Sequence, residues 1–274
     1  MHYRCSLSQA VTLGPVNQPP TPAALLELAA CLATAAGRQS LDGLHRTRIL
    51  DTKSSDTDMV TEMDKAAEAL IVAGIDAERP DDGVLGEEGA SRPGTSGVRW
   101  VIDPIDGTTN YVYRHPFWSV SIGVQFNGVT VAGAVAIPML GEIYTASRGG
   151  GAFRNGVPIT VSTQTILGQS LIGTGFAYSA DIRARQGAMV AMLLPEVRDI
   201  RRGGSAAIDL CFVADGRLDA YVEDGLNPWD ECAGSLIVSE AGGVVSVLDV
   251  GRGTHCAANP TLQALLADRI HALQ

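Results

Sequence analysis

The hydrophobic positions near the start of the chain recur with the period of an α-helix. Thr21 and Pro22 form an N-cap followed by proline at the first helical position, and leucines and alanines then recur at helical spacing. This pattern predicts a helix that ends near Arg38. A second helix is predicted from Thr61, because Asp64 lies three residues later and apolar residues follow at helical spacing. The polar stretch 51–58 between the two helices is too charged to be part of a core.

From residue 98 onwards, the pattern changes to short apolar runs that are separated by turn residues. Asn127-Gly128 and Asn155-Gly156 are dipeptides typical of β-hairpins. The apolar runs predict strands at 98–103, 119–126, 129–137 and 142–146. We expect these strands to form a meander that is mainly antiparallel.

After Ser170, strand and helix patterns alternate along the chain. Strands are predicted up to Gly175 and at 197–201, 218–222 and 243–248, and helices at 180–194, 205–214, 229–241 and 260–272. A meander half at about 21–165 and an alternating half at about 166–274 predict a layered α/β (α+β) fold with two sheets. Its helix and sheet layers would alternate as an αβαβα sandwich. Residues 1–20 are predicted to be a loose leader that precedes this domain.

Composition and charge exclude several classes of function. The chain has 274 residues, of which 46% are hydrophobic, and this is enough to bury a large core. Its formal charge is −10, so the basic face of a nucleic-acid-binding protein is not expected. An acidic protein that binds an anionic substrate needs a cation between the two, which makes clustered carboxylates important.

Cysteine spacing and hydropathy indicate where the protein acts. The five cysteines include no C-x-x-C pair, and their odd number argues against a disulfide framework and a thiolate zinc site. No apolar run approaches the roughly 20 residues that a membrane helix needs. The N-terminus also differs from a signal peptide. We therefore expect a cytoplasmic protein with no membrane partner.

The strongest chemical signal is the segment that follows the predicted strand at 98–103. Asp103 and Asp106 stand three residues apart with a proline between them, and Gly107, Thr108 and Thr109 then begin a helical turn. Carboxylates suit hard cations such as magnesium, and the first amides of a helix suit a phosphate. Taken alone, the segment fits equally well an Asx-turn followed by a threonine N-cap.

Three further groups of acids are ambiguous when each is considered alone. Glu87 and Glu88 follow an apolar strand, at the position where open sheets present ligands, yet a solvated acidic turn fits as well. Asp230 lies in the first turn of a predicted helix, where an acid also offsets the helix dipole. Asp64 fits the role of capping partner of Thr61.

Together, these segments follow the order and spacing of one family, and the chain resembles the inositol monophosphatases from about Lys53 to Gly243. The matching segments are Asp58-x-Val60-Thr61-x-x-Asp64, Gly86-Glu87-Glu88, Asp103-Pro104-Ile105-Asp106-Gly107-Thr108-Thr109-Asn110, Gly204-Ser205-Ala206-Ala207 and Trp229-Asp230-x-x-Ala233-Gly234. The chain has no P-loop and no complete nucleophile elbow. This agrees with a phosphatase that needs no protein nucleophile.

The resemblance implies a set of metal ligands and catalytic residues. The ligands of the first metal ion would be Glu87, Asp103, the Ile105 carbonyl and the Thr108 hydroxyl. The ligands of the second would be Asp103, Asp106 and Asp230. Magnesium is the expected cofactor, with two or three ions. Asp64 and Thr108 match the pair that orients the attacking water, and Glu87 is the third expected catalytic residue.

The resemblance also implies a substrate site. The amides of Gly107 and Thr108 match the phosphate cradle, and Glu223 matches an acid that contacts substrate hydroxyls. The full set of expected substrate positions is Asp106, Gly107, Thr108, Gly204, Ser205, Ala206, Glu223 and Asp230. Lys53 matches a position on a mobile loop of the family, although a solvated surface lysine fits as well.

The expected activity is hydrolysis of a small phosphorylated polyol, with inositol 1-phosphate as the favoured substrate. Histidinol phosphate and a sugar bisphosphate are alternatives on the same metal site. A regulatory interaction protein on this scaffold is the third alternative, and clustered carboxylates argue against it because a scaffold gains nothing from their repulsion. The resemblance further implies a homodimer and lithium sensitivity, and the acidic net charge argues against a nucleic-acid partner.

Overall fold

The computed structural model describes residues 21–45, 49–52 and 59–272 of the chain. The helices in these residues are α1 (Pro22–Gly43), α2 (Glu62–Glu78), α3 (Thr108–Val112), α4 (Ala180–Leu193), α5 (Ala206–Ala214), α6 (Pro228–Glu240) and α7 (Pro260–Ala272). The strands of the first half are β1 (Ile49–Thr52), β2 (Met59–Thr61), β3 (Gly83–Gly86), β4 (Ser91–Arg92), β5 (Val98–Asp106), β6 (Ser119–Phe126), β7 (Val129–Ile137), β8 (Glu142–Ser147), β9 (Gly151–Arg154) and β10 (Val157–Pro158). Those of the second half are β11 (Leu171–Thr174), β12 (Asp199–Arg201), β13 (Ala220–Asp224), β14 (Val244–Leu248) and β15 (Thr254–Ala258). The predicted leader, Lys53 and Asp58 lie outside the described residues.

The first sheet has eight strands in the order β10-β9-β8-β7-β6-β5-β3-β4. All neighbours in it are antiparallel except β3 and β5, which run parallel. The turns Asn127-Gly128 and Asn155-Gly156 join neighbouring strands, and all four of their residues have positive φ. Two consecutive positive φ values define the type I′ turn, whose twist matches that of the flanking strands. The predicted antiparallel meander is therefore confirmed.

The second sheet has five strands in the order β12-β11-β13-β15-β14. Strand β11 runs parallel to β12 and β13, whereas β15 is antiparallel to β13 and β14. Strand β15 was not predicted from the sequence, although each of its five residues is buried. A short strand covered on both faces shows no alternation of polar and apolar residues, and Thr-His-Cys-Ala-Ala is weak in strand-forming residues.

The connection between the first two helices also differs from the prediction. Helix α1 continues to Gly43 instead of ending near Arg38. Residues Ile49–Thr52 and Met59–Thr61 then form an antiparallel pair of strands that was not predicted. The polar stretch 51–58 therefore begins within β1.

Helices and sheets alternate in five layers, as predicted. Helices α1 and α2 cover the outer face of the first sheet, with Ala29, Ile71 and Trp100 in one apolar cluster. Helices α5 and α6 lie between the two sheets, and eight of the nine residues of α5 are buried there. The outer face of the second sheet packs against α4 and α7. None of the helices in the described ranges is both long enough and apolar enough to cross a membrane.

The topology gathers the carboxyl ends of the parallel strands of both sheets around one cleft. Glu87 follows β3, Gly107 follows β5, Gly175 follows β11, Arg202 follows β12 and Gly225 follows β13, and all of these residues line the cleft. Ligands of open α/β sheets bind at this end of the strands. The fold therefore builds a candidate site from loops that are distant in sequence.

Candidate active site

The cleft between the sheets has a volume of about 540 Å³ and is lined by most of the predicted site residues. Those that line it are Glu87, Asp103, Ile105, Asp106, Gly107, Thr108, Gly204, Ser205, Ala206, Glu223 and Asp230. Asp64 is fully buried behind Thr108, with which it shares a hydrogen bond. The residues that sequence reasoning selected are thus brought together from both halves of the chain.

The two oxygens of the Asp64 carboxylate have different partners. Its Oδ2 accepts hydrogen bonds from the Thr61 amide at 2.7 Å and from the Thr61 hydroxyl at 2.5 Å, which completes the capping box of α2. Its Oδ1 accepts from the Thr108 hydroxyl at 3.2 Å. The capping role and the contact with Thr108 are therefore compatible, because each uses its own oxygen.

Burial changes the acidity of Asp64. Loss of hydration raises its pKa to about 6, although the hydrogen bonds from Thr61 favour the ionised form. The nearby charges of Glu88 and Glu87 raise the pKa further. The Thr108 hydroxyl thus faces a carboxylate that takes up a proton more readily than an ordinary aspartate.

Strand β5 ends in an irregularity that places two carboxylates on the cleft. Asp103 pairs with Ser121 and Asp106 pairs with Ser119, so three residues of β5 pass while β6 advances by two. This bulge redirects the chain at its rigid proline. The Asp103 Oδ1 atom accepts from the Ile105 amide at 3.1 Å, which fixes the turn between the two acids.

Asp106 connects the first sheet to the helix layer between the sheets. Its Oδ2 accepts from the Ser205 hydroxyl at 2.6 Å and from the Ala207 amide at 2.7 Å. Both donors belong to the N-terminal end of α5, whose first amides have no partner within the helix. Burial raises the pKa of Asp106 to about 6, against the opposing effect of these hydrogen bonds.

Glycine is required directly after Asp106. Gly107 has φ of +93°, and a Cβ there would lie 3.0 Å from the carbonyl oxygens of Gly204 and Phe117. The side chain of Asn110 donates to Phe117 O at 2.5 Å and to Gly203 O at 2.9 Å. Asn110 closes the predicted motif, but no role was predicted for it. Its side chain joins the segment after α3 to the loop before α5.

Glu68 shapes the turn that carries Glu87, and sequence reasoning missed it. Its carboxylate accepts from the amides of Glu88 and Ala90, both at 2.9 Å, and only 6% of the residue is exposed. A Cβ at Gly86 would overlap this carboxylate. Glu68 lies one helical turn after Asp64, a spacing that places both acids on the same face of α2.

Asp230 has its predicted place in the first turn of α6. Its Oδ2 accepts from the Asn227 amide at 2.6 Å and from the Asn227 side chain at 3.1 Å, which forms a capping box. Burial raises the pKa of Asp230, and the charge of Asp106 adds to this effect. The same two causes act on Asp103, where burial comes first and the charges of Glu87 and Asp106 follow.

The donor atoms in the cleft fit a hard divalent cation. Carboxylate and carbonyl oxygens are the ligands that magnesium prefers, and mutual repulsion of the carboxylates makes a nearby cation favourable. Within the described ranges, no three His, Cys, Asp or Glu side chains form a group that could hold a metal ion as they stand. Two of the oxygens instead accept cap hydrogen bonds, Asp106 Oδ2 at α5 and Asp230 Oδ2 at α6. Coordination by these residues stays a prediction.

The predicted substrate site contains a buried acid, Glu223, that is held by a tyrosine. The Tyr221 hydroxyl donates to Glu223 Oε2, and a Cβ at Gly175 would overlap the same carboxylate. Burial raises the pKa of Glu223 to about 7, and the charge of Asp106 raises it too, whereas Arg202 opposes the shift. Glu223 is therefore a partly protonated group near neutral pH.

Several other residues that line the cleft were not predicted from the sequence. Two cationic residues, Arg202 and Arg252, line it together with the largely apolar side chains Phe176, Tyr178, Ile182 and Leu226. The segment 175–179 and the start of α4 supply most of this apolar side. The cleft thus combines a carboxylate-rich end with an end of mixed chemistry.

Comparison with known proteins finds the same likeness in sequence and in structure. A model of the inositol monophosphatase family matches residues 22–274. The chain is 47% identical over 204 residues to "Inositol-1-monophosphatase" of Mycobacterium leprae, which covers 71% of this chain and 70% of that protein. It is 43% identical over 225 residues to "Nus factor SuhB" of Escherichia coli K12, covering 79% and 84%. A crystal structure of Staphylococcus aureus IMPase-II with inositol monophosphate bound superimposes with a TM-score of 0.75 at 30% identity, covering 90% of this chain and 93% of that one.

Proposed function

The chain belongs to the inositol monophosphatase family of phosphoric monoester hydrolases, and from that premise we propose that it hydrolyses a small phosphorylated polyol with magnesium as cofactor. Inositol 1-phosphate is the favoured substrate. The observation that carries this proposal is the gathering of Glu87, Asp103, Asp106 and Asp230 in one cleft. Their mutual repulsion is costly to the fold and is relieved by a divalent cation.

The residues that would hold magnesium are Glu87, Asp103, the Ile105 carbonyl, Asp106, Thr108 and Asp230. When bound, the cation would polarise the phosphoryl group, activate water and neutralise charge on the leaving oxygen. Asp103 belongs to both predicted ligand sets, and its Oδ1 is held by the Ile105 amide. This hydrogen bond fixes the carboxylate relative to the Ile105 carbonyl, so the two ligands are positioned together.

The phosphate would bind at the start of α3. Gly107 and Thr108 lie at the first positions of this helical turn, where backbone amides have no partner within the helix. The absence of a side chain at Gly107 allows an anion to approach the backbone closely. Asn110 holds this turn against the Gly203 carbonyl, which keeps the cradle next to the substrate wall at Gly204, Ser205 and Ala206.

Thr108 and Asp64 would orient the attacking water. The Thr108 hydroxyl is within hydrogen-bond distance of Asp64 Oδ1 and of the Ile105 carbonyl. A hydroxyl that donates its single proton to Asp64 Oδ1 keeps lone pairs that can accept a hydrogen bond from water, and it can take the water proton as its own proton passes to the carboxylate. The buried Asp64 carboxylate has a raised pKa, so it can share in that proton transfer.

Glu223 supports a polyol as the leaving group. Its carboxylate lines the cleft and can accept hydrogen bonds from ring hydroxyls. The neutral, compact wall of Gly204, Ser205 and Ala206 suits a ring packed on its edge. The likeness to a Staphylococcus aureus structure with inositol monophosphate bound supports the same choice.

Two alternatives have separate grounds. Histidinol phosphate carries a cationic amine that the acidic Glu223 would also attract, and a sugar bisphosphate would use the same metal site. The Escherichia coli relative is named a Nus factor, which favours a regulatory interaction as a second candidate function. The carboxylates at 64, 87, 103, 106 and 230 support the phosphatase, because an interaction surface has no use for them.

Phosphate release by the purified protein tests the proposal. The panel contains inositol 1-phosphate, histidinol phosphate and fructose 1,6-bisphosphate, each with magnesium and with EDTA. We expect release that depends on magnesium, with the highest kcat/KM for inositol 1-phosphate. A panel led by histidinol phosphate would overturn the substrate, and no release from any compound would overturn the phosphatase.

A further inference from the structure

Gln186 is a buried polar residue in a helix that is otherwise mostly exposed. Among the residues of α4, only Gln186 and Leu193 are buried. Leu193 packs into the apolar cluster on the outer face of the second sheet. Gln186 is 3% exposed and is not part of that cluster, so its burial requires hydrogen-bond partners.

The Gln186 amide finds those partners on two different walls of the cleft. Its Oε1 accepts from the Ala177 amide at 2.9 Å, and its Nε2 donates to the Asp224 carbonyl at 3.3 Å. Ala177 and Asp224 both line the cleft. One side chain therefore bridges the segment after β11 and the end of β13.

The two walls have different chemistry. The apolar rim, defined here as Phe176, Tyr178 and Ile182, lies on the segment after β11 and on the first turn of α4. The acidic rim, defined here as Glu223 and Asp224, lies at the end of β13. A polyol ring presents C–H groups on one side and hydroxyls at its edge, so it can contact both rims at once.

Backbone pairing does not hold the two rims together. Strands β11 and β13 pair up to Thr174 and Val222. Beyond that pair, residues 175–179 and 223–227, all of which are described, share no backbone hydrogen bond. Gly175 packs beside the Glu223 carboxylate, and farther out the Gln186 amide links the two rims through its hydrogen bonds to Ala177 and Asp224.

We propose that Gln186 is a positioning residue that fixes the separation of the apolar and acidic rims and thereby sets the preference for a ring-shaped leaving group. The inference rests on the proposed function, because it concerns the leaving-group end of the same cleft. The phosphate ester of a compact alcohol does not span the two rims. Its hydrolysis depends on the carboxylate end alone and is insensitive to the spacing at Gln186.

The test compares Gln186→Met with the wild-type enzyme on two substrates, inositol 1-phosphate and glycerol 2-phosphate. Methionine keeps the length of the side chain and removes both hydrogen bonds. We expect the kcat/KM for inositol 1-phosphate, divided by that for glycerol 2-phosphate, to fall about tenfold, mainly through a higher KM for inositol 1-phosphate. This is the effect expected when one or two hydrogen bonds are lost. Gln263→Met is the matched control, because Gln263 donates to Ser246 on the far side of the second sheet.

Hydrogen exchange supplies a readout that does not depend on activity. The Ala177 amide should exchange faster in Gln186→Met, because its partner is the Gln186 side chain, while the strands of the second sheet keep their protection. Equal losses on both substrates, or unchanged kinetics with faster exchange at Ala177, would overturn the inference. If the wild-type protein hydrolyses neither substrate, the proposed function fails, and unchanged exchange at Ala177 would separately refute the link between the rims.

Discussion

At the scale of single residues, the site depends on carboxylates whose two oxygens have separate tasks. Asp64 caps α2 with one oxygen and contacts Thr108 with the other. Asp106 likewise uses Oδ2 to hold α5. The oxygens engaged in caps fix the orientation of each carboxylate, so Asp64 meets Thr108 and Asp106 lines the cleft with little side-chain entropy left to lose on binding.

The hydroxyl of Thr108 is predicted to matter mainly in the transition state. Thr108→Ala should lower kcat by on the order of a hundredfold and change KM much less, because it removes a group that orients water and leaves substrate contacts in place. Steady-state kinetics with inositol 1-phosphate measures this split. Thr108→Ser should restore most of the activity, and Thr109→Ala, one residue along α3, is the control.

A pure rise in KM would argue against this role for Thr108. It would indicate that the hydroxyl contributes to substrate binding, and the geometry with Asp64 would then serve only to order the loop. Failure of Thr108→Ser to recover turnover would lead to the same conclusion.

At the scale of elements, the turns of the site are held by two side chains that do not themselves line the cleft, Glu68 and Asn110. Glu68 on α2 binds two amides of the turn between β3 and β4. Asn110 on α3 binds the loop before α5. These bonds add to the backbone hydrogen bonds from Gly86 to Ala90 and from Glu87 to Ile102, and they help to keep Glu87 and Gly204 in place.

Glu68→Gln should weaken magnesium binding without removing any predicted ligand. Glu68 accepts hydrogen bonds from two backbone amides, and a glutamine would present its NH2 group to one of them. That amide would lose its hydrogen-bond partner, at a cost of about 1–3 kcal/mol in stability. We expect the magnesium concentration for half-maximal activity to rise several-fold. Titration calorimetry with magnesium gives the same quantity without turnover.

The control for Glu68 is Glu78→Gln, at the exposed end of the same helix. It removes the same charge from α2 without touching the turn. If both variants change magnesium affinity equally, the effect is one of long-range charge, and the positioning role of Glu68 is wrong.

Elements with local signals were predictable, whereas elements and contacts built from distant residues were not. Thr21 and Thr61 cap their helices as the sequence pattern predicts, because a cap involves residues within one turn. Strand β15 was missed because it is short and buried on both faces. The partners of Glu68 and Gln186 lie up to 22 and 38 residues away, so no local pattern reveals them.

The candidate site was predictable for a different reason. Its residues were selected from motifs that match a family in order and spacing, and the fold places them on one cleft. The apolar rim and the two cleft arginines belong to no such motif. Only the folded structure, in which the ends of distant strands lie together, shows that these residues line the cleft.

At the scale of the whole molecule, the cleft concentrates negative charge between the two sheets. Burial raises the pKa of Asp106 to about 6 and that of Glu223 to about 7, and the charge of Asp106 adds to the shift at Glu223. These pKa values in the folded protein exceed the ordinary values of 3.8 and 4.5. At a pH between the ordinary and the raised value, each group therefore binds more protons in the folded protein than in the unfolded chain. Stability in the absence of divalent cations therefore falls as the pH rises from about 4.5 through 7.

Thermal unfolding in EDTA tests this charge effect. We expect a lower Tm at pH 8 than at pH 5.5, and magnesium should raise the Tm more at pH 8 because the carboxylates are then ionised. The dependence should be weaker in Glu223→Gln, which removes one of the titrating groups. A Tm in EDTA that rises between pH 5.5 and pH 8 would show that the cleft carboxylates do not dominate.

Asp103→Asn tests whether the carboxylates of the cleft bind magnesium for phosphate ester hydrolysis. Asparagine keeps the Oδ1 acceptor for the Ile105 amide and removes a buried charge, so the fold should be retained, with a Tm in EDTA at least equal to that of the wild type. Magnesium titration of inositol 1-phosphate hydrolysis should show turnover lowered by about a hundredfold to a thousandfold, the range found when a key electrostatic group is removed. A folded Asp103→Asn variant with wild-type turnover and unchanged magnesium dependence would show that hydrolysis does not depend on magnesium bound by these carboxylates.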